Sequence, residues 1–163
     1  MENVVTPLVE EHIAGYRAAF DQVAHEHRFL DYLEAPSAAA VQKFVSDNIR
    51  NKNPQFVVLD GTTVVGWCII VPKVKPIYQH TGVLGMGIVE GYRGRGIGTA
   101  LITSALVAAR QRGLKRVELQ VRENSISAVT LFERSGFVME GIMRKHAFVD
   151  GKYENSVMMA MLF

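Results

Sequence analysis

Apolar side chains return every three or four positions at Ile13, Tyr16, Phe20 and Val23, which predicts a helix over residues 10–26. A short strand over 4–9, interrupted near Pro7, precedes it. After Pro36 the same period resumes with Val41, Phe44, Val45 and Ile49 on one face, and Ser37 is placed to cap that second helix. Residues 27–35, between the two, are too apolar for an ordinary solvated loop. The pattern then changes to strands. Residues 56–59 and 64–71 flank the turn signal Asp60-Gly61. Residues 81–89 form another strand and contain Gly82, Gly85 and Gly87, which predict a bulge or a closely approaching ligand. A glycine-rich turn over 91–98 opens a helix whose apolar face is Ile97, Leu101, Ala105, Leu106 and Ala109, with Gly113 as its stop. A strand over 117–121 and a short helix over 127–135, ended by Gly136, follow. The chain closes as a two-stranded ribbon, 137–148 and 153–162, around Asp150-Gly151. Helices first and then a mostly antiparallel sheet with one strand–helix–strand crossover predict an α+β fold with a mixed sheet and about four flanking helices.

Composition narrows the functional classes. A chain of 163 residues, 48 % apolar and 21 % charged, reads as one globular domain over 1–163. A formal charge of +2 gives no electrostatic case for a nucleic-acid or membrane-surface partner. No apolar stretch approaches the 18 residues or so of a membrane span. Glu2, Glu10 and Glu11 stand where a secretion signal would need positive charge, and Cys68 is the sole cysteine, so the expected compartment is the cytoplasm. No His, Cys, Asp or Glu cluster has metal-ligand spacing, so no metal is expected.

The chemistry concentrates in Tyr92-Arg93-Gly94-Arg95-Gly96-Ile97-Gly98-Thr99, between a strand and a helix. Glycines there leave backbone N–H groups bare at a helix N-terminus, where the dipole favours anions, and Arg93 and Arg95 add charge. This is a cradle for a diphosphate. A P-loop would need Gly-Lys-Ser/Thr after the glycines, and a dinucleotide fingerprint would need a glycine where Thr99 stands. A tight ligand-free turn is the bland alternative, and the two arginines speak against it. Arg93-x-x-Gly96-x-Gly98 resembles the Gln/Arg-x-x-Gly-x-Gly/Ala motif of the GNAT acyltransferases. Downstream, Ala128-x-x-Leu131-Phe132-Glu133-Arg134-Ser135-Gly136-Phe137 is similar to their Ala-x-x-Leu-Tyr-x-Lys-x-Gly-Phe signature. The ribbon with Asp150-Gly151-x-Tyr153 resembles the small-amine and amino-acid branch of that superfamily. The motifs support the resemblance over residues 55–163.

The resemblance implies a GNAT-like fold, acetyl-CoA as acyl donor and an amine as acceptor, and a homodimer is compatible with it. It implies that the backbone of Met86, Gly87 and Ile88 pairs with the pantetheine arm as an added strand would. The amides of Arg93, Gly94, Arg95, Gly96, Ile97, Gly98 and Thr99 would hold the diphosphate, and the N–H near Ile88 would stabilise the oxyanion. Asn124, Ser125, Phe132 and Arg134 would lie along the cofactor. Three positions depart from the pattern. Phe132 replaces the tyrosine proposed as the acid for the leaving thiolate. Ser125 stands at the usual asparagine, with Asn124 one residue early. Gln120 stands where relatives acting on protein N-termini place a glutamate base. A thiol of pKa about 8.5 leaves with little help, whereas a lysine-like amine of pKa about 10.4 is neutral in roughly one molecule in a thousand near pH 7.4. The base therefore matters more than the acid. His80 and Glu118 are candidate bases and Tyr153 a substitute acid. Phe29, Leu30, Trp67 and His146 are candidates for the acceptor site, with core packing the competing reading of Trp67. The rivals are an acyl-CoA-binding module without catalysis and an enzyme modifying protein N-termini or aminoacyl-tRNA; the charge of +2 speaks against the tRNA.

Overall fold

The computed structural model describes residues 3–163, so Glu2 lies outside the described residues. The chain runs β1 (Val4–Pro7), α1 (Ile13–Ala24), α2 (Ala38–Arg50), β2 (Gln55–Asp60), β3 (Thr63–Pro72), β4 (Thr81–Ile88), α3 (Ile97–Gln111), β5 (Arg116–Arg122), α4 (Ile126–Arg134), β6 (Val138–Val149) and β7 (Lys152–Leu162). The predicted helix at 10–26 opens as a single 3-10 turn over Glu10–His12 before α1 begins. Ser37 caps α2 as expected, its Oγ accepting from the Ala40 N–H at 3.1 Å. The buried face of α2 is Val41, Val45 and Asn48, whereas Phe44 and Ile49 are exposed. At about 100° per residue, Phe44 and Ile49 lie roughly 60° and 80° to either side of Val41, on the flanks of the stripe.

The strands form one mixed sheet in the order β1-β2-β3-β4-β5-β7-β6, antiparallel throughout except for β4 and β5. Its two faces carry separate cores. Ile97, Leu101, Ile102 and Ala105 of α3 and Phe132 of α4 pack on one face. Ile13, Tyr16, Ala19 and Val23 of α1 and Val41 and Val45 of α2 pack on the other. Trp67 belongs to this second core and is 2 % exposed, with Tyr16 and Phe20 ring centroids at 5.7 and 5.5 Å. Its burial bears out the competing reading of core packing.

The glycines of β4 divide into two kinds. The register with β3 runs unbroken from Gly66↔Ile88 to Pro72↔Gly82, so the predicted bulge is absent. A Cβ on Gly82 would stand 2.5 Å from Ile70 Cγ2, and one on Gly87 would stand 2.5 Å from Trp67 Cζ2. These two are glycine because a core side chain crosses the strand. A Cβ on Gly85 would meet nothing within 4 Å. That stretch of sheet face is open. Among the described residues no helix is long and apolar enough to cross a membrane.

Candidate active site

The sheet consists of two arms joined by a narrow seam. β4 pairs with β3 along its length, and β5 pairs with β7 from Arg116↔Leu162 to Arg122↔Ser156. Between the arms, β4 and β5 pair only at Thr81↔Arg116, Gly82↔Val117 and Val83↔Glu118. Beyond Val83 they diverge into a wedge. The Val89 N–H bonds the Val65 carbonyl, which turns the backbone of the odd-numbered β4 residues toward β3. The even-numbered residues therefore turn their backbone groups to the wedge, as the His80 carbonyl does in accepting from the N–H groups of Lys115 and of Arg116 at the start of β5. Met86 and Ile88 thus present backbone groups to the wedge, whereas those of Gly87 are directed to Trp67. Of the three residues expected to pair with a pantetheine arm, Gly87 offers only its bare Cα.

At the wide end of the wedge the chain turns through Gly91, Gly94 and Gly96, at φ +91°, +74° and +80°. Left-handed backbone is cheap only for glycine, and here it turns the chain sharply from β4 into α3. The first α3 hydrogen bond to a cap is Ala100 N–H to Gly96 O. Among the described residues, a tight turn at Arg93–Gly94 engages the chain locally, and no protein acceptor takes the amides of 96–99. A Cβ on Gly94 or Gly96 would meet open space. Gly98 is glycine for another reason, since a Cβ there would press within 2.8 Å of Leu131 Cδ2 on α4. Bare amides, a helix N-terminus and room above them fit a diphosphate.

The two arginines of the turn do different things. Arg95 lies over the Tyr92 ring at 5.3 Å and is exposed. Arg93 is spent within the protein. Its Nε donates to the Ile88 carbonyl at 2.8 Å, its Nη1 and Nη2 reach Glu26 at 2.7 and 2.5 Å, and its guanidinium lies 4.5 Å from the Phe29 ring centroid. The hydrogen bonds from Arg93 hold the Glu26 carboxyl below its ordinary range. The charge of Arg93 is therefore neutralised by Glu26.

On the face covered by α1, β5 presents Arg116, Glu118, Gln120 and Arg122, and β7 sets Ala160, Met158 and Ser156 opposite the last three. Glu118 is not a free base. Burial alone would raise its pKa, but hydrogen bonds from Lys73 and Arg116 outweigh that and hold it low. His80 sits exposed in the turn before β4, at the closed end of the wedge, and Glu118 lies opposite Val83. Tyr153 is 64 % exposed at the far tip of the ribbon, stacked on Phe148 and on the opposite face from Ser156. The three side chains expected to handle protons are thus not brought together.

Other residues do converge. His146 is aimed by a β6 irregularity between Met143 and Ala147, and its Nδ1 lies 2.9 Å from Ser156 Oγ. Phe29 and Leu30 stand at the wide end of the wedge, where Arg122 donates to the carbonyls of His27 and Leu30 at 2.6 and 2.8 Å. Arg122 is 7 % exposed, with Glu154 at 3.4 Å. Asn124 reaches Glu154 and Ser125 reaches the Arg28 carbonyl, both at 3.5 Å. Ser125 is the residue before α4, but its side chain makes no capping bond. Phe132 is buried on the α3 side against Phe137. Arg134 lies exposed in the last turn of α4, where a cation suits the helix dipole. The residues that sequence reasoning passed over are Glu26, Arg122 and Glu154. A lone charge at an element end carries no periodic signal.

A mixed sheet split between its fourth and fifth strands, with a bare-amide turn at the split, defines a class of acyl-transfer fold. Residues 11–137 match the acetyltransferase (GNAT) family, and the chain belongs to that family. Mycothiol acetyltransferase of Geodermatophilus obscurus is 36 % identical over 90 residues, 53 % of this chain and 29 % of that protein. The chain thus spans under a third of that relative's length. An N-alpha-acetyltransferase of Sulfurisphaera tokodaii is 33 % identical over 130 residues, 72 % of this chain and 74 % of the relative. Among solved structures, the phosphinothricin acetyltransferase of Sinorhizobium meliloti in complex with AcCoA superposes with a TM-score of 0.93. That match covers 100 % of this chain and 89 % of the other at 19 % identity, which is a likeness of fold.

Proposed function

We propose that the protein transfers the acetyl group of acetyl-CoA directly to a primary amine of a small molecule or amino acid. The observation that carries the reading is the wedge between β4 and β5, which opens beside a turn of unspent amides. The amides of 93–99 would hold the diphosphate, and the wedge-facing backbone of Met86 and Ile88 would pair with the pantetheine arm. The thioester would then lie between the two sheet arms. The amine nitrogen attacks the thioester carbon, the C–N bond forms, the wedge-facing Met86 N–H, one step along β4 from Ile88 and farther from the diphosphate turn, donates to the carbonyl oxygen, and the C–S bond breaks to release the CoA thiolate. An α-amine of pKa about 8 costs under 1 kcal/mol to deprotonate near neutral pH, so a weak base suffices. We assign that role to His146, whose ring is oriented by Ser156 on the acceptor side. The similarity to an N-alpha-acetyltransferase supports a second reading in which the acceptor is a peptide N-terminus. A cytoplasmic location and a homodimer belong to the same proposal: Cys68 is free and buried, and edge strand β6 leaves Val138 and Ile142 exposed for a second copy.

The test is acetyl-CoA turnover, read as CoA-thiol release, with L-methionine, L-phenylalanine, tyramine and a tripeptide with a free N-terminus. At least one small amine is expected to exceed background hydrolysis by on the order of tenfold. CoA binding without turnover of any amine would favour a binding module, and a tripeptide outrunning every small amine would favour the second reading. With an accepted amine, His146→Ala should lower kcat/KM by about 10²-fold and leave CoA affinity intact. His80→Ala should leave both unchanged. The reverse pattern would return the base to His80.

A further inference from the structure

We infer that Arg122 is a positioning residue: it fixes residues 26–30 as a bridge across the wide end of the β4/β5 wedge and so sets the wall that holds the acceptor. The inference rests on the acyl-transfer reading for the acceptor and on geometry alone for the bridge. Residues 26–30 leave the end of α1 and are moored to both arms of the sheet. On the β4 side, Glu26 takes the bidentate pair from Arg93, which also holds the Ile88 carbonyl. On the β5 side, Arg122 donates to the His27 carbonyl at 2.6 Å and the Leu30 carbonyl at 2.8 Å. Two weaker ties fall on the same arm. His27 Nδ1 lies 2.9 Å from Asp150 Oδ1 in the β6–β7 turn, and Ser125 Oγ lies 3.5 Å from the Arg28 carbonyl. His27 has φ +56°, uncommon outside glycine, and its carbonyl is one of the two that Arg122 takes.

With the bridge in place the wedge is bounded on four sides. β4 and β5 form two, the Val83↔Glu118 pairing closes the narrow end, and residues 26–30 close the wide end. The opening then has two mouths. One lies under the glycine turn and the start of α4, where the unspent amides are. The other lies on the α1 face, where Gln120, Ser156 and His146 stand. Donor and acceptor would enter from opposite faces of the sheet and meet inside. Arginine suits the anchor because its planar fork spans two carbonyls three residues apart, and a lysine ammonium is a single point. Burial beside Glu154 keeps that fork from solvent.

The test compares Arg122→Lys and Arg122→Met with wild type by amide hydrogen exchange, CoA affinity and steady-state kinetics with the four amines above. Losing charged hydrogen bonds to two carbonyls should speed exchange roughly tenfold or more in Arg122→Lys at the Glu26 and His27 amides, which bond the Val23 and Ala24 carbonyls. Protection in α3 and β4 and the CoA Kd should stay at wild-type values. The KM for any accepted amine should rise by about tenfold, with kcat changed less. Wild-type exchange and KM in Arg122→Lys overturn the proposal. So does a rise in CoA Kd equal to the rise in amine KM, which would mark a general loosening. If the wild type accepts none of the four amines, the acyl-transfer reading fails while the bridge is still decided by exchange. If Arg122→Met does not fold, the lysine variant alone decides.

Discussion

Exchanging Gly87 and Gly85 for alanine in turn separates a glycine required by the core from one that borders an opening. A carbon atom needs about 3.5–4.0 Å from its neighbours. A Cβ on Gly87 would have 2.5 Å to Trp67 Cζ2, and less to Cη2, so the indole or the strand must retreat by about 1 Å. The indole has nowhere to go, being 2 % exposed with Tyr16 and Phe20 against it. Overpacking of this kind costs about 1–3 kcal/mol. For a chain of this size that is a fall in Tm of roughly 2–12 °C. At Gly85 the new methyl enters open space, and alanine is favoured over glycine in a strand by roughly 0.5–1 kcal/mol. The melting temperature of Gly85→Ala should therefore rise by about 1–4 °C. Thermal melts followed by circular dichroism read both effects. Combining Gly87→Ala with Trp67→Leu should cost less than the sum of the two single changes, because the clash is then relieved. The reasoning fails if Gly87→Ala melts with the wild type, or if Gly85→Ala loses as much as Gly87→Ala.

In wild type, acetyl-CoA at a hundred times its Kd should stabilise the fold by about 2.7 kcal/mol in a thermal-shift measurement. Gly96→Val should weaken CoA binding by on the order of tenfold with the far-UV spectrum retained, because a branched side chain at φ +80° strains the turn and screens the amides. Unchanged affinity would place the diphosphate elsewhere. Acid should loosen the ion pairs around the wedge. The Glu26 and Glu118 carboxyls both lie below their ordinary value of 4.5 in the folded protein. The stability they contribute is therefore complete above that value and is lost as pH falls through the lowered folded values. Chemical denaturation should show a flat midpoint from neutrality down to about pH 5 and a decline below pH 4 that is smaller in Glu26→Gln. A variant declining as steeply as wild type would remove Glu26 from the account.

Much of the fold was legible in the chain. The 3.6 and 2.0 periods located the four α-helices and the strands to within a few residues, because each depends on neighbours close in sequence. Ser37 was legible as a cap and residues 91–98 as a glycine turn opening a helix for the same local reason. The faces were less legible: Asn48 lies at the centre of the buried stripe of α2 and Phe44 at its flank. Chemistry assigned to single charged residues fared worst. Arg93 reads as a diphosphate ligand until Glu26, 67 residues away, is seen to hold its guanidinium. Glu118 reads as a base until Lys73 and Arg116 occupy its oxygens. Gly87 reads as a site for ligand approach until Trp67 is found across it. The wedge itself depends on β4 and β5 ceasing to pair after Val83, and Arg122 acquires a role only because residues 92 and 95 positions distant bring carbonyls to it. The sequence alone determined which elements form and where the glycine turn before α3 lies, since propensity, period and left-handed glycine are short-range. Only the tertiary structure decided which charges are already spent and which face of each strand is open, since both depend on groups within about 4 Å that the chain delivers from far along its length.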